Sequence, residues 1–185
     1  MSKPLSLTGV ERFFDKDDVI VSKTDTKGRI TYANRTFLQV AGFREADILG
    51  QPHSIIRHPH MPRAVFKLLW DAIEAGGEIF GYVINRARNG DHYWVYAHVT
   101  PSFDSAGRII GYHSNRRVPN RAVIDDVIVP LYEIVLAEEA RHKNGKEQLA
   151  AGYKLLIDQV SSHGLPYDEL IAKLTVRAPL EATAA

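Results

Sequence analysis

The chain has 185 residues, 45% of them hydrophobic and 24% charged, with a formal net charge of +1. This is the balance of one folded domain plus an extension, and so small a charge sets up no field that would draw nucleic acid or an anionic membrane. It has no cysteine, which removes disulfides, thiolate metal sites, iron–sulfur clusters and cysteine nucleophiles and fits the cytoplasm.

The N-terminal stretch MSKPLSLTGVERFFDKDD carries acids early and too short an apolar run for a secretory signal, so residues 1–17 read as an arm or cap. From residue 18 to 118 short strand and helix signals alternate. VIVSKTD (Val19–Asp25) and RITYAN (Arg29–Asn34) form a hairpin pattern that turns near Gly28. Asn34 is placed to cap a short helix carrying Phe37, Leu38, Val40 and Ala41, which Gly42 ends. READILGQP gives one more helical turn. After RHPHMPRAVFKLLW (Arg57–Trp70), with its two histidines and two prolines, Pro62 opens a helix that puts Val65, Phe66, Leu69, Trp70 and Ile73 on one face. Three strands follow. EIFGYVINRAR (Glu78–Arg88) and DHYWVYAHVTPSFD (Asp91–Asp104) are joined through Asn89–Gly90, and GRIIGYHSNRRV (Gly107–Val118) comes after a second Gly-containing turn.

Residues 119–174 turn helical. Val123, Val127, Leu131, Ile134 and Val135 lie on one stripe, with a kink expected at Pro130 and a break at Lys143–Gly145. A second helix carries Leu149, Tyr153, Leu156 and Val160, and YDELIAKL follows Pro166. Residues 175–185 read as a disordered tail. No apolar run reaches the roughly 18 residues of a membrane span, because the longest candidate contains Asp125, Asp126, Pro130 and Glu133. The fold class is α+β, a five-stranded antiparallel sheet with short helices on one face and a C-terminal helical extension.

That order resembles the PAS-domain plan, and TDTKGRITYANRTFLQVAGF and NGDHYWVYAHVTP resemble its opening and its late hairpin. GQPHSIIRHPHMPRAVFKLLW and NRARNGDHYWV resemble, more narrowly, the PAS domain of the Aer-type aerotaxis (energy-taxis) receptors. The resemblance covers Val19 to Arg117 and implies non-covalent FAD and a report of redox state. The family commonly has an acid where this chain has His60. Light-sensing PAS proteins need a cysteine beside the flavin, so that photochemistry is excluded here.

The residues offer several chemistries. His53, His58 and His60 are close in sequence, but no acid at ligand spacing completes a zinc set. One of the three would suffice as a haem ligand, so haem stands as the alternative cofactor. Against a flat ring, Trp70 can be an aromatic wall or ordinary core. Asn85 shares the face of Val83, the inner one, and could satisfy a donor and an acceptor together, or sit at a strand edge in solvent. Arg57 offers a planar fork for a carbonyl or pyrophosphate, or for a surface acid. His58 could bond to a ring or pin its loop. Asn34 is a helix cap that sits near the pocket in PAS folds. Of Tyr93, Trp94, Tyr96 and His98, half must face outward; Ser22, Tyr112 and Ser114 share the inner side if the registers hold. The cofactor-binding expectation is therefore Arg57, His58, Trp70, Asn85, Asn34, Ser22, Tyr93 and Ser114, with no catalytic or metal residue.

No nucleophile elbow, paired-carboxylate motif or phosphate-binding glycine loop occurs, so the chain reads as a sensor rather than an enzyme. Its output is expected through a separate signalling partner, with the C-terminal helices carrying the signal. A homodimer through the N-terminal arm or the aromatic outer sheet face is expected as well. A ligand-free interaction module is the remaining alternative.

Overall fold

The alternation of apolar and polar residues yields the expected hairpin: β1 (Ile20–Thr24) pairs antiparallel with β2 (Ile30–Ala33). Its turn is tied by the Asp25 carboxylate, which accepts from the Lys27 and Arg29 amides. Gly28 takes the left-handed φ of 73° that the turn requires. The computed structural model describes residues 6–162, 164–165 and 167–176.

Helix α1 (Arg35–Ala41) starts where Asn34 caps it and stops at Gly42, whose φ is 72°. One turn, α2 (Glu45–Ile48), and a 3₁₀ turn (His53–Ile56) lead into α3 (Arg63–Glu74). That helix begins one residue after Pro62. Strands β3 (Ile79–Arg86), β4 (His92–Phe103) and β5 (Ile109–Arg117) complete one antiparallel sheet in the order β2-β1-β5-β4-β3.

The register sorts the two faces, because directly paired residues point the same way. Ser22 opposes Ser114, Ile20 opposes Arg116, and Asn85 opposes Tyr93. Val83, Val95, Ala97 and Val99 fill the same inner side. Trp94, Tyr96 and His98 are on the other, so three of the four residues Tyr93, Trp94, Tyr96 and His98, rather than the expected half, face outward, because their even numbers share one side of the pleat. The outer face is less bare than the sequence implied: Tyr82, Ile84 and Trp94 are already buried within the single chain, while Phe80 and His98 stack with their ring centroids 4.1 Å apart.

Two compact units divide the chain: residues up to Met61 with Leu69–Val118, and Pro62–Leu68 with the residues from Pro119 onward. The sequence pattern did not foresee that the first turns of α3 would group with the C-terminal helices. Within the first unit, the arm runs beside the start of β4, where the Thr8 amide donates to the Gly90 carbonyl and the Arg12 amide to the His92 carbonyl.

In the second unit Asn120 caps a single turn, α4 (Arg121–Val123), which widens into a π-helical turn over Ile124–Ile128 before α5 (Val129–Ala140). Pro130 explains the widening: it has no N–H, and its ring displaces the carbonyl one turn back. The Val129 amide therefore reaches the Ile124 carbonyl. The extra residue rotates everything after it. The buried stripe is Val123, Ile124, Ile128, Tyr132 and Val135, rather than the expected Val127, Leu131 and Ile134, and Ile134 is 49% exposed. Helix α6 (Gly145–Ser161) buries Gly152, Leu156 and Val160, and α7 (Tyr167–Val176) follows. The helix α7 runs two residues into the tail expected to be disordered, and residues 177–185 lie outside the described residues. Among the described residues no helix is long and apolar enough to cross a membrane.

Candidate functional site

The segment Pro52–Arg57, which leads into the histidine- and proline-rich stretch, is held at both edges of the sheet. At the β2 edge, Pro52 bridges Arg29, and the His53 amide donates to the Gly28 carbonyl at 2.9 Å. At the β3 edge, Arg57 bridges Asn85. The backbone thus brings together two residues of the expected site that lie 28 positions apart. Between these anchors the 3₁₀ turn presents His53.

His53 meets a cluster on the inner face. Its Nε2 is 2.7 Å from an Nη2 of Arg116 and 3.1 Å from Ser22 Oγ, and the same Nη2 donates to Ser22 Oγ at 2.9 Å. A guanidinium has only donors, so Nε2 must be the accepting, unprotonated nitrogen. Burial, and then the Arg116 charge, push the imidazole down to about 3. Arg116 is 4% exposed and its cation lies 5.6 Å from the Phe37 ring centroid. Burial lowers its guanidinium to about 10, so it stays charged at neutral pH. Its hydrogen-bond partners are a serine and a neutral imidazole, and among the described residues no carboxylate pairs with it.

Three buried polar atoms have no hydrogen-bond partner among the described residues: Asn85 Nδ2, Ser114 Oγ and Arg116 Nη1. All three belong to residues on the inner face. A buried polar atom without a partner costs about 1–3 kcal/mol, so three on one face of one sheet form a pattern that a polar ligand would relieve. Tyr93, paired with Asn85, is buried, and that burial raises its phenol above its ordinary range.

Trp70 lies in α3, half-buried, with its ring edge-on to Tyr112 at 5.3 Å. Gly28 makes room for it: a Cβ there would stand 3.3 Å from the indole. His58 forms a separate group. It is 4% exposed, its Nδ1 accepts from the His60 amide, and its ring lies 4.9 Å from that of His60 and 5.7 Å from that of His92. Burial first, then His60, His92 and Arg86, push it down to about 4. Asn34 spends its carboxamide on the backbone, accepting from the Val21 and Phe37 amides and donating to the Val19 carbonyl. It fixes α1 against β1, and that cap is the role its contacts show.

The structure therefore gathers Ser22, Ser114, Asn85 and Tyr93 on one face, ties Arg57 to Asn85 through the backbone, and sets Trp70 beside Tyr112. Arg116 and the inward role of His53 were missed. A period-2 reading of SNRRV from Ser114 would have found Arg116 on the serine's side.

Residues 30–116 match the family model described as the PAS fold. The chain is 42% identical over 123 residues to the aerotaxis receptor of Escherichia coli (strain K12), an alignment covering 65% of this chain and 24% of the receptor. It is 25% identical over 141 residues to the nitrogen fixation regulatory protein of Klebsiella pneumoniae, covering 69% of this chain and 28% of that protein. It thus spans about a quarter of the length of these relatives. Among solved structures, the light state of the blue-light photoreceptor Aureochrome1 LOV aligns with a TM-score of 0.53 and 26% identity, over 59% of this chain and 88% of that one.

Proposed function

We propose that this chain, whose residues 30–116 are a PAS domain, binds a flavin non-covalently on the inner side of its sheet and reports the flavin's redox state. The observation that carries this reading is the set of three polar atoms on that face that have no partner among the described residues, Asn85 Nδ2, Ser114 Oγ and Arg116 Nη1. An isoalloxazine presents alternating donors and acceptors along one edge and an apolar surface elsewhere, which is what such a face could hold. The residues present fit the group. Asn85, Ser114 and Arg116 would serve its polar edge, Trp70 and Tyr112 its ring, and Ser22 and Tyr93 would line the site. Arg57 and His58, on the stretch held at the sheet edges, would close it, and Asn34 would support it from the helix cap.

When bound, a flavin supplies reversible two-electron reduction linked to a change in protonation. FAD in particular is what the resemblance to the aerotaxis receptors implies. In this reading the protein is a cytoplasmic sensor rather than an enzyme, it works as a homodimer, and its helices after Pro119 pass the signal to a separate partner as in energy taxis. Haem, the alternative, would need His58 or His60, because His53 Nε2 already faces a guanidinium at 2.7 Å, a cation where a metal would need to sit.

The test is to denature the purified protein and to identify and count what it releases. About one FAD per chain is expected, falling in Trp70→Ala and Asn85→Ala variants whose circular dichroism matches the parent. Release of no flavin from the parent would refute the reading.

A further inference from the structure

Arg116 is out of place as a structural residue. A buried guanidinium loses its hydration, and a protein ordinarily returns it as a carboxylate close by. Here the return is a serine hydroxyl, a neutral imidazole and the face of Phe37, and one nitrogen, Nη1, has no hydrogen-bond partner among the described residues. His53 adds no charge, since it accepts from Arg116 through Nε2 and so holds the guanidinium in place. Ser22, which is 1% exposed, bonds to both. The result is an oriented cationic pole of one net charge. It stands on the same side of the sheet as the unpartnered Asn85 and Ser114 atoms, with Ser114 two residues before it on β5.

We propose that Arg116, oriented by His53 and Ser22, is the counter-charge of the ligand site and favours the form of the bound ligand that carries negative charge. The general part requires only a ligand with an anionic or electron-rich edge. The specific part rests on the flavin reading. Dithionite, oxidised to sulfite, delivers two electrons to a flavin; with one proton from water the reduced ring carries one net negative charge, which the pole stabilises.

Both parts can be read separately. In protein stripped of cofactor the cation has no counter-charge among the described residues, so Arg116→Met is expected to raise the thermal midpoint by several degrees. A lower midpoint in the variant would mean that Arg116 is structural and would overturn the proposal. In protein loaded with FAD, Arg116→Met is expected to weaken retention of reduced relative to oxidised cofactor at least tenfold, which for a two-electron couple is a fall in potential of about 30 mV. Arg116→Lys should restore part of it. A potential unchanged in Arg116→Met overturns the redox part. If the parent neither contains flavin nor takes up added FAD, the flavin reading falls, and the melting comparison alone decides: a rise supports the pole and a fall overturns it.

Discussion

Acid should weaken the sheet unit well before its carboxylates titrate. His53 and His58 are held neutral in the fold, down to about 3 and about 4, whereas the unfolded chain binds a proton at each with a pKa of about 6.5. Between roughly pH 6.5 and 4 the unfolded state therefore carries more protons than the folded one, so stability is complete above 6.5 and falls as pH drops. At pH 5 the solution is about 1.5 units below the unfolded value of each group and still above both folded values, a loss of about 2 kcal/mol per histidine and about 4 kcal/mol together. That is a large share of the about 5–15 kcal/mol typical of a folded domain. Asp47 and Asp91, pulled down to about 2 by their hydrogen bonds to Arg44 and Thr8 respectively among other partners, lose their contribution only below about pH 4. The two windows are thus separable. Urea unfolding of cofactor-stripped protein at pH 7, 6 and 5, followed by circular dichroism, measures the slope, and His53→Gln or His58→Gln should each remove about half of it. A stability that is flat from pH 7 to 5, or a slope unchanged in both variants, would refute the protonation states assigned here.

In the C-terminal unit, the buried Glu139 carboxylate accepts from the Ala64 and Arg63 amides at the start of α3, so Glu139→Ala should cost about 2 kcal/mol by urea unfolding. Gly152→Ala would put a Cβ 2.6 Å from Glu139 Cγ; it should destabilise alone and cost less on top of Glu139→Ala, a non-additivity that a double-mutant cycle reads directly. Gly28→Ala, at a φ of +73°, should cost about 1–2 kcal/mol and shift the tryptophan emission, because the new methyl presses on Trp70. Asp91 accepts from Thr8, Arg12 and Asn89, so Asp91→Ala should release the N-terminal arm and speed tryptic cleavage at Arg12 roughly tenfold, equivalent to about 1.4 kcal/mol.

The sheet was legible because its signals are local. The alternation around Asn85 placed it on the inner face, Asn34 capped its helix, and the turn at Asn89–Gly90 joined β3 to β4. Where the reading slipped, the cause was local as well. A stripe extrapolated at 3.6 residues per turn cannot anticipate the residue that Pro130 inserts into the π turn, so it points to Val127, Leu131 and Ile134 in place of Ile128 and Tyr132. Much of the site is instead a product of long-range pairing. Ser22, His53 and Arg116 meet only because β1 lies beside β5 and the 3₁₀ turn hangs from β2. An arginine in SNRRV looks like an exposed strand end until those pairings are known. The family resemblance pointed to Arg57, Trp70 and Asn85, but carried no sign of the charge behind them.

The most direct test of the account is one absorption spectrum of freshly purified protein, recorded before and after dithionite and again after air. At neutral pH the two bands of an oxidised flavin are expected, bleached by the reductant and restored by oxygen. A colourless protein, or a Soret band in place of the flavin bands, would contradict it.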